Sequence, residues 1–154
     1  MTINNPNNLR KYRFDPFLNN LHGWIDSFKF NKQSGQFSVV RGWNKPSLYG
    51  ICDMIYNLVI PNELHSYIKS HNNEEIDDWI SVIKLYQDKN TGWFREGRFN
   101  YAYHFKEHST AFAVSVLKLL NSTPDHDFKI SEKLNSRKKV YNWLKKGPEW
   151  GLLY

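Results

Sequence analysis

Within "SLYGICDMIYNLVI", residues 47–60, four side chains able to take part in chemistry recur at helical spacing: Tyr49, Asp53, Tyr56 and Asn57. Steps of four, three and one put all four on one stripe of a helix. Leu48, Ile51, Cys52, Ile55 and Val59 occupy the other positions. A carboxylate in such apolar company is unfavourable unless it is paired or reaches water in a cleft. Partial burial raises its proton affinity, which suits a general acid, and sugar rings stack readily on flanking tyrosines. The plainer alternative is that Asp53 ties a neighbouring helix through hydrogen bonds.

A second group stands in "YHFKEHS", residues 103–109, where His104, Glu107 and His108 match the His-x-x-Glu-His pattern of inverted zinc proteases. That mechanism needs both histidines on one helical face and a third ligand further along. The helix is expected to begin near Ser109, which leaves His104 in a loop, so neither a metal nor another cofactor is expected. Ser109 or Thr110 could instead supply a cap oxygen. Glycoside cleavage uses two carboxylates. Asp53 and Glu107 form the first candidate pair, and Asp53 with Asp88 the second, although Asp88 fits a structural role in a turn.

These residues must be positioned by helices. Residues 1–12 are polar and rich in asparagine, and read as a flexible tail. Phe17, Leu18, Leu21, Trp24, Ile25 and Phe28 predict a helix over 15–30, opened by Asp15-Pro16. Further helices are predicted over 47–60, 63–70, 74–87, 109–120 and 131–146.

The order of elements repeats. "GWIDSFKF" is echoed by "DWISVIKLY" and "NWLKKGP", anchored at Trp24, Trp79 and Trp143, and the turn "NKQSGQF" is echoed by "DKNTGWF". Gly35 and Gly92 take equivalent places, and Tyr49-Gly50 overlays Thr110-Ala111, which makes Gly50 and Ala111 candidate points of close approach between helices. Each unit is an outer helix, a glycine turn and a more apolar inner helix, which needs neighbours to complete its core. The third unit lacks a second helix, and the apolar "WGLLY" ending has nothing after it to cover it. The expected organisation is therefore all-α, with about two and a half tandem hairpins over 13–62, 63–122 and an incomplete 123–154, cut from a longer array.

At "YQDKNTGWF" and "FKEHSTAFAVSVLKLL" the chain resembles the α/α-toroid proteins, closed rings of helical hairpins, and among them the six-hairpin glycosidase-like group. Gln87, Asp88, Thr91, Gly92 and Trp93 fit the Gln-Asp-x-x-Thr-Gly-aromatic turn of that group, and Glu107, Ser109 and Ala111 fit its Glu-x-Ser helix start. A looser likeness runs to terpenoid cyclases and protein prenyltransferases, whose Asp-x-Asp-Asp motif and zinc triad have no counterpart here. The resemblance implies a partial toroid over 13–154 whose inner helices line a central cavity. Asp53 would look into that cavity, with Tyr49, Tyr56 and Asn57 beside it and His104, Glu107 and His108 at its mouth. Trp93, with Trp43 and Trp150, would offer sugar platforms or pack between hairpins. The implied function is carbohydrate processing of a glycosidase-like kind. The alternatives are a non-catalytic helical-repeat module that binds a partner or self-associates, and an isoprenoid-type toroid.

Composition agrees with a packed core and a wet cleft. Of the 154 residues, 40% are apolar and 16% aromatic, with 6 Trp and 9 Tyr. A net charge of +6 suits an anionic polysaccharide. The basic residues are dispersed, and the cluster of Arg137, Lys138, Lys139, Lys145 and Lys146 reads as a solvated helix face, so nucleic acid is not expected as the main partner. Cys52 is the only cysteine and reads as a buried inert thiol. No signal-like segment or membrane-length apolar run occurs, so the expected location is the cytoplasm. His22, His65 and His71 are isolated and expected to be exposed.

Overall fold

The computed structural model describes residues 14–71, 75–96 and 105–146. The N-terminal tail, His104, Trp150 and the "WGLLY" ending lie outside them. Among the described residues the protein is helical, with no named strand. The elements are α1 (Asp15–Leu18), α2 (Leu21–Asp26), a 3-10 turn (Phe30–Lys32), α3 (Leu48–Val59), α4 (Leu64–His71), α5 (Glu75–Lys84), α6 (Phe105–Leu119), α7 (Lys129–Lys133) and α8 (Arg137–Lys146).

Two predicted helices are broken, each by a polar side chain that competes with the backbone. The first divides at Asn19–Asn20, where the Asn20 amide donates to the Pro16 carbonyl at 2.8 Å. The last divides before Arg137, where the Ser136 hydroxyl accepts from the Lys139 N–H at 3.3 Å and starts α8 afresh. Another correction falls at α6, which begins at Phe105, four residues before the expected start. Ser109 and Thr110 are therefore buried inside a helix and do not cap its end.

α3 is the centre of the core. Leu48, Ile51, Cys52, Ile55 and Leu58 are fully buried on it. It packs chiefly on α6, whose Ala113, Val116 and Leu117 belong to the same buried cluster, and also on α4 and α5. Trp79 on α5 is fully buried and meets Phe37 edge-on at 6.2 Å, whereas Trp24 is half-buried and Trp143 is 38% exposed. Of the three expected tryptophan anchors, only Trp79 is fully enclosed.

The two glycine turns share one geometry. An isolated antiparallel bridge closes each, Lys29 to Phe37 in the first and Gln87 to Phe94 in the second. Gly35 and Gly92 adopt φ of 72° and 78°, a left-handed conformation that L side chains adopt only at a cost. Each glycine also presses on a later segment, Gly35 on α5 and Gly92 on the Asp127–Phe128 stretch before α7. A Cβ at position 35 would lie 3.1 Å from the Asp78 carbonyl oxygen, and one at position 92 only 2.4 Å from that of Asp127.

Side chains at the bridge positions extend the same contact. Lys29 reaches Glu75 Oε1 at 2.9 Å. Gln87 spends its whole amide: Nε2 donates to the Gly92 and His126 carbonyls at 2.9 and 2.8 Å, and Oε1 accepts from the Asp125 and His126 N–H groups at 2.9 and 3.1 Å. α3 and α6 meet the two turns differently. Gly50 lies against the Phe37 carbonyl, where a Cβ would come within 2.4 Å. Ala111 is exposed; one residue earlier, the Thr110 hydroxyl accepts from the Phe94 N–H at 2.9 Å. The expected close approach thus exists at Gly50, against a turn and not a helix, and is absent at Ala111.

Candidate functional site at the α3–α6 seam

The N-terminus of α3 is fixed twice. Ser47 is extended, and its hydroxyl accepts from the Tyr49 and Gly50 N–H groups. Glu96 Oε2 then accepts from the Ser47 hydroxyl at 2.8 Å and from the Leu48 N–H at 3.1 Å, bringing a carboxylate to the positive end of the helix. Sequence reasoning missed Glu96, because nothing local marks a carboxylate that acts 48 residues away.

From that fixed start, α3 presents Tyr49, Asp53 and Tyr56 along its partly exposed edge against α6. The Tyr49 hydroxyl lies 2.9 Å from Ser109 Oγ, with His108 Nδ1 3.4 Å from it. The Tyr56 hydroxyl meets Ser115 Oγ. Ser115 itself donates to the Ala111 and Phe112 carbonyls, so its lone pairs are left for Tyr56, which donates.

The rings form a row. Tyr49 stacks on His108 at 5.7 Å, His108 lies 4.7 Å from Phe112, and Phe112 meets Tyr56 edge-on at 5.7 Å. Tyr49, Phe112 and Tyr56 are half-buried and His108 is exposed, so one edge of the row faces water. Asp53 sits on α3 midway between the two tyrosines and is half-buried. Burial pushes its carboxyl above the usual range, and the charge of nearby His108 pulls it partly back. Among the described residues, no side chain donates a hydrogen bond to that carboxylate.

The other expected site residues divide. Asn57 turns back on its own helix, donating to the Asp53 carbonyl at 2.9 Å, and lines an open apolar pocket of about 280 Å³ with Phe14, Phe17 and Ile60. Glu107 precedes His108, about 100° around α6. Its Oε1 lies 3.5 Å from Lys106 Nζ, and its Oε2 is buried with no hydrogen-bond partner among the described residues. No interaction among the described residues joins Glu107 to Asp53; the titratable neighbour that acts on Asp53 is His108. Trp93 stands elsewhere, 6.1 Å from Phe128 with Lys106 Nζ 5.7 Å from its ring centre. Asp88 is structural, with Oδ1 accepting from the Asn90 and Thr91 N–H groups and from the Thr91 hydroxyl.

His65 and Trp43 are exposed, but two of the histidines expected at the surface are half-buried. His22 lies 3.3 Å from Glu63, and His71 stacks on Tyr67 at 4.1 Å with Nε2 3.0 Å from Asp26. Burial pushes the Cys52 thiol up to about 12, which leaves it a protonated core side chain. Among the described residues, no cluster of three histidine, cysteine or acidic side chains could hold a metal, and no helix is long and apolar enough to cross a membrane. No family model matches the chain, and neither the curated proteins nor the solved structures offer a match to it.

Proposed function

We propose that the α3–α6 seam is a carbohydrate site in a partial α/α-toroid of helical hairpins, with Asp53 as its polar centre and glycosidase-like cleavage as its chemistry. The observation that carries this reading is the half-exposed ring row of Tyr49, His108, Phe112 and Tyr56 beside a carboxyl whose proton affinity is raised. Apolar faces of sugars lie on aromatic rings, while a carboxyl that keeps its proton can donate to a glycosidic oxygen. Glu107 is the proposed second carboxylate. Amide chemical shifts during titration with neutral and uronate-containing oligosaccharides test binding, and release of reducing ends tests cleavage. Shifts confined to α3 and α6, and lost in Asp53→Asn, support the reading. Unchanged spectra with every oligosaccharide would remove it.

A second reading, a helical-repeat module that docks a partner or another copy of itself, is favoured by different residues. Tyr141 and Leu144 on α8 are 61% and 59% exposed, and Phe14 and Ile60 are 66% and 81% exposed. Light scattering on a size-exclusion column tests self-association. A monomer at every concentration, with α8 amides unprotected from exchange, counts against that form of it.

A further inference from the structure

On the far side of the Gly92 turn lies an open groove of about 350 Å³, lined by Thr91, Trp93, Lys106, Ile130, Glu132 and the two lysines of α7, Lys129 and Lys133. Its volume is at the lower end of the range of small-ligand sites. Three elements build it. The turn supplies Thr91 and Trp93, the first turn of α6 supplies Lys106, and α7 supplies the rest. The walls are held together by the backbone: Gly92 abuts Asp127, the Lys129 N–H donates to the Thr91 carbonyl at 3.3 Å, and Gln87 bonds both sides of His126.

We infer that this groove binds a small phosphorylated ring compound, with the lysines on the phosphate and Trp93 with Ile130 as the apolar wall against the ring. Lys129 and Lys133 are one helical turn apart on the same face of α7, a like-charge spacing that is unfavourable on an isolated helix. Lys106 brings a third ammonium group over the Trp93 ring. The lining carries three ammonium groups against the Glu132 carboxylate. Glu107, outside it, lies 3.5 Å from Lys106 and offsets it, so the two α7 lysines are the ones without an ion-pair partner among the described residues. A phosphate monoester, at about −1.5 to −2 at neutral pH, can engage both lysines at once, where a carboxylate offers a single charge. Lysine acts there as a point charge on phosphate, without the fork geometry that arginine offers carboxylates. The groove does not involve Asp53, so this inference stands or falls separately from the carbohydrate reading of the seam.

The test is calorimetric titration of the full chain with ribose 5-phosphate, adenosine 5′-monophosphate, inorganic phosphate, glucuronate and ribose, at 20 and at about 200 mM salt. The expected result is binding of the two phosphorylated rings, at least about tenfold tighter than glucuronate and weaker at the higher salt. Lys129→Gln/Lys133→Gln should reduce it by at least about tenfold, and the indole resonance lost in Trp93→Phe should be the one that moves. Both lysines are exposed, so circular dichroism of the double variant should match the wild type. Asp53→Asn should bind the phosphorylated rings unchanged. If the nucleotide binds more tightly than the sugar phosphate, the base is the ring on the Trp93 wall, within the proposal. Equal binding by wild type and double variant, glucuronate binding as tightly as ribose 5-phosphate, or inorganic phosphate binding as tightly as either ring compound, each overturns it.

Discussion

Replacing three glycines by alanine separates what the fold demands at each. At Gly92 an alanine must hold φ near 78°, and its Cβ would overlap the Asp127 carbonyl at 2.4 Å. The left-handed conformation costs about 1–2 kcal/mol. The overlap is with backbone, so no rotamer relieves it. The Asp127–Phe128 segment must move and loosen the Gln87 bonds to His126, at about 1–3 kcal/mol by analogy with overpacking. The expected loss is therefore about 2–5 kcal/mol, or a melting temperature lower by about 6–15 °C for a chain of this size. Gly50→Ala meets the Phe37 carbonyl at 2.4 Å without a positive φ. Its gain in helix propensity, about 1 kcal/mol, partly offsets the same overlap. A net loss of about 0–2 kcal/mol follows, smaller than at Gly92. Gly23 in α2 has nothing within 4 Å of an added Cβ, so Gly23→Ala should stabilise by about 0.5–1 kcal/mol. Thermal and urea unfolding followed by circular dichroism give all three values. A Gly92→Ala protein as stable as wild type, or a Gly23→Ala protein destabilised as much as Gly92→Ala, refutes the claim that the turn is pressed on its neighbour.

Other expectations bear on the polar contacts. Gln87→Leu removes four hydrogen bonds in a partly exposed place and should cost about 1–3 kcal/mol in urea unfolding, with faster amide exchange at Asp125 and His126. Tyr56→Phe and Ser115→Ala should each cost about 1 kcal/mol, and a double-mutant cycle should show coupling, since they share one bond. Asp26 and Asp53 should act in opposite directions with pH. Burial pushes Asp26 up, but hydrogen bonds from Tyr67, Lys29 and His71 outweigh it and hold its carboxyl below the ordinary 3.8. Its stabilisation is therefore present above pH 3.8 and lost as the pH falls through the lower folded value. Asp53 is raised, so the native state keeps its proton more tightly than the unfolded chain. Its ionisation is a penalty absent below pH 3.8 and growing as the pH rises through the folded value. In urea midpoints, Asp53→Asn should gain on wild type as the pH rises across that window, and Asp26→Asn should narrow the gap to wild type on the acid side.

The sequence made the central helix and both turns legible because each carries a local signal. Ser47 before an apolar run marks the start of α3, and Pro61-Asn62 marks its stop. Gly35 and Gly92 stand where a left-handed residue closes a short antiparallel bridge. The stripe of Tyr49, Asp53 and Tyr56 follows from helical spacing alone. Reasoning from sequence failed where the controlling contact was distant or was a side chain competing with backbone. Asn20 and Ser136 broke helices that hydrophobic spacing carried straight through. Ser109 and Thr110 looked like a start because hydroxyls favour caps, yet here they serve Tyr49 and the Phe94 N–H from inside α6. Glu96 and the pairing of His71 with Asp26 depend on which elements become neighbours, which no periodicity records.

The hydrogen bonds along the seam also decide what a ligand there could use. Tyr49 and Tyr56 each have a hydroxyl placed on a serine of α6, and those bonds bridge the two helices that form the heart of the core. Removing both hydroxyls should therefore weaken packing more than recognition. What the tyrosines offer a ligand is ring surface, continued by His108 and Phe112. Under the carbohydrate reading, directed polar recognition would fall to a group left without a hydrogen-bond donor among the described residues, which on this edge of α3 is the Asp53 carboxyl. The helix pair is thus stabilised by hydroxyls and, on the proposed reading, would be addressed through a carboxyl. Tyr49→Phe or Tyr56→Phe and Asp53→Asn are consequently different experiments: the first reads the scaffold, and the second reads the proposed site.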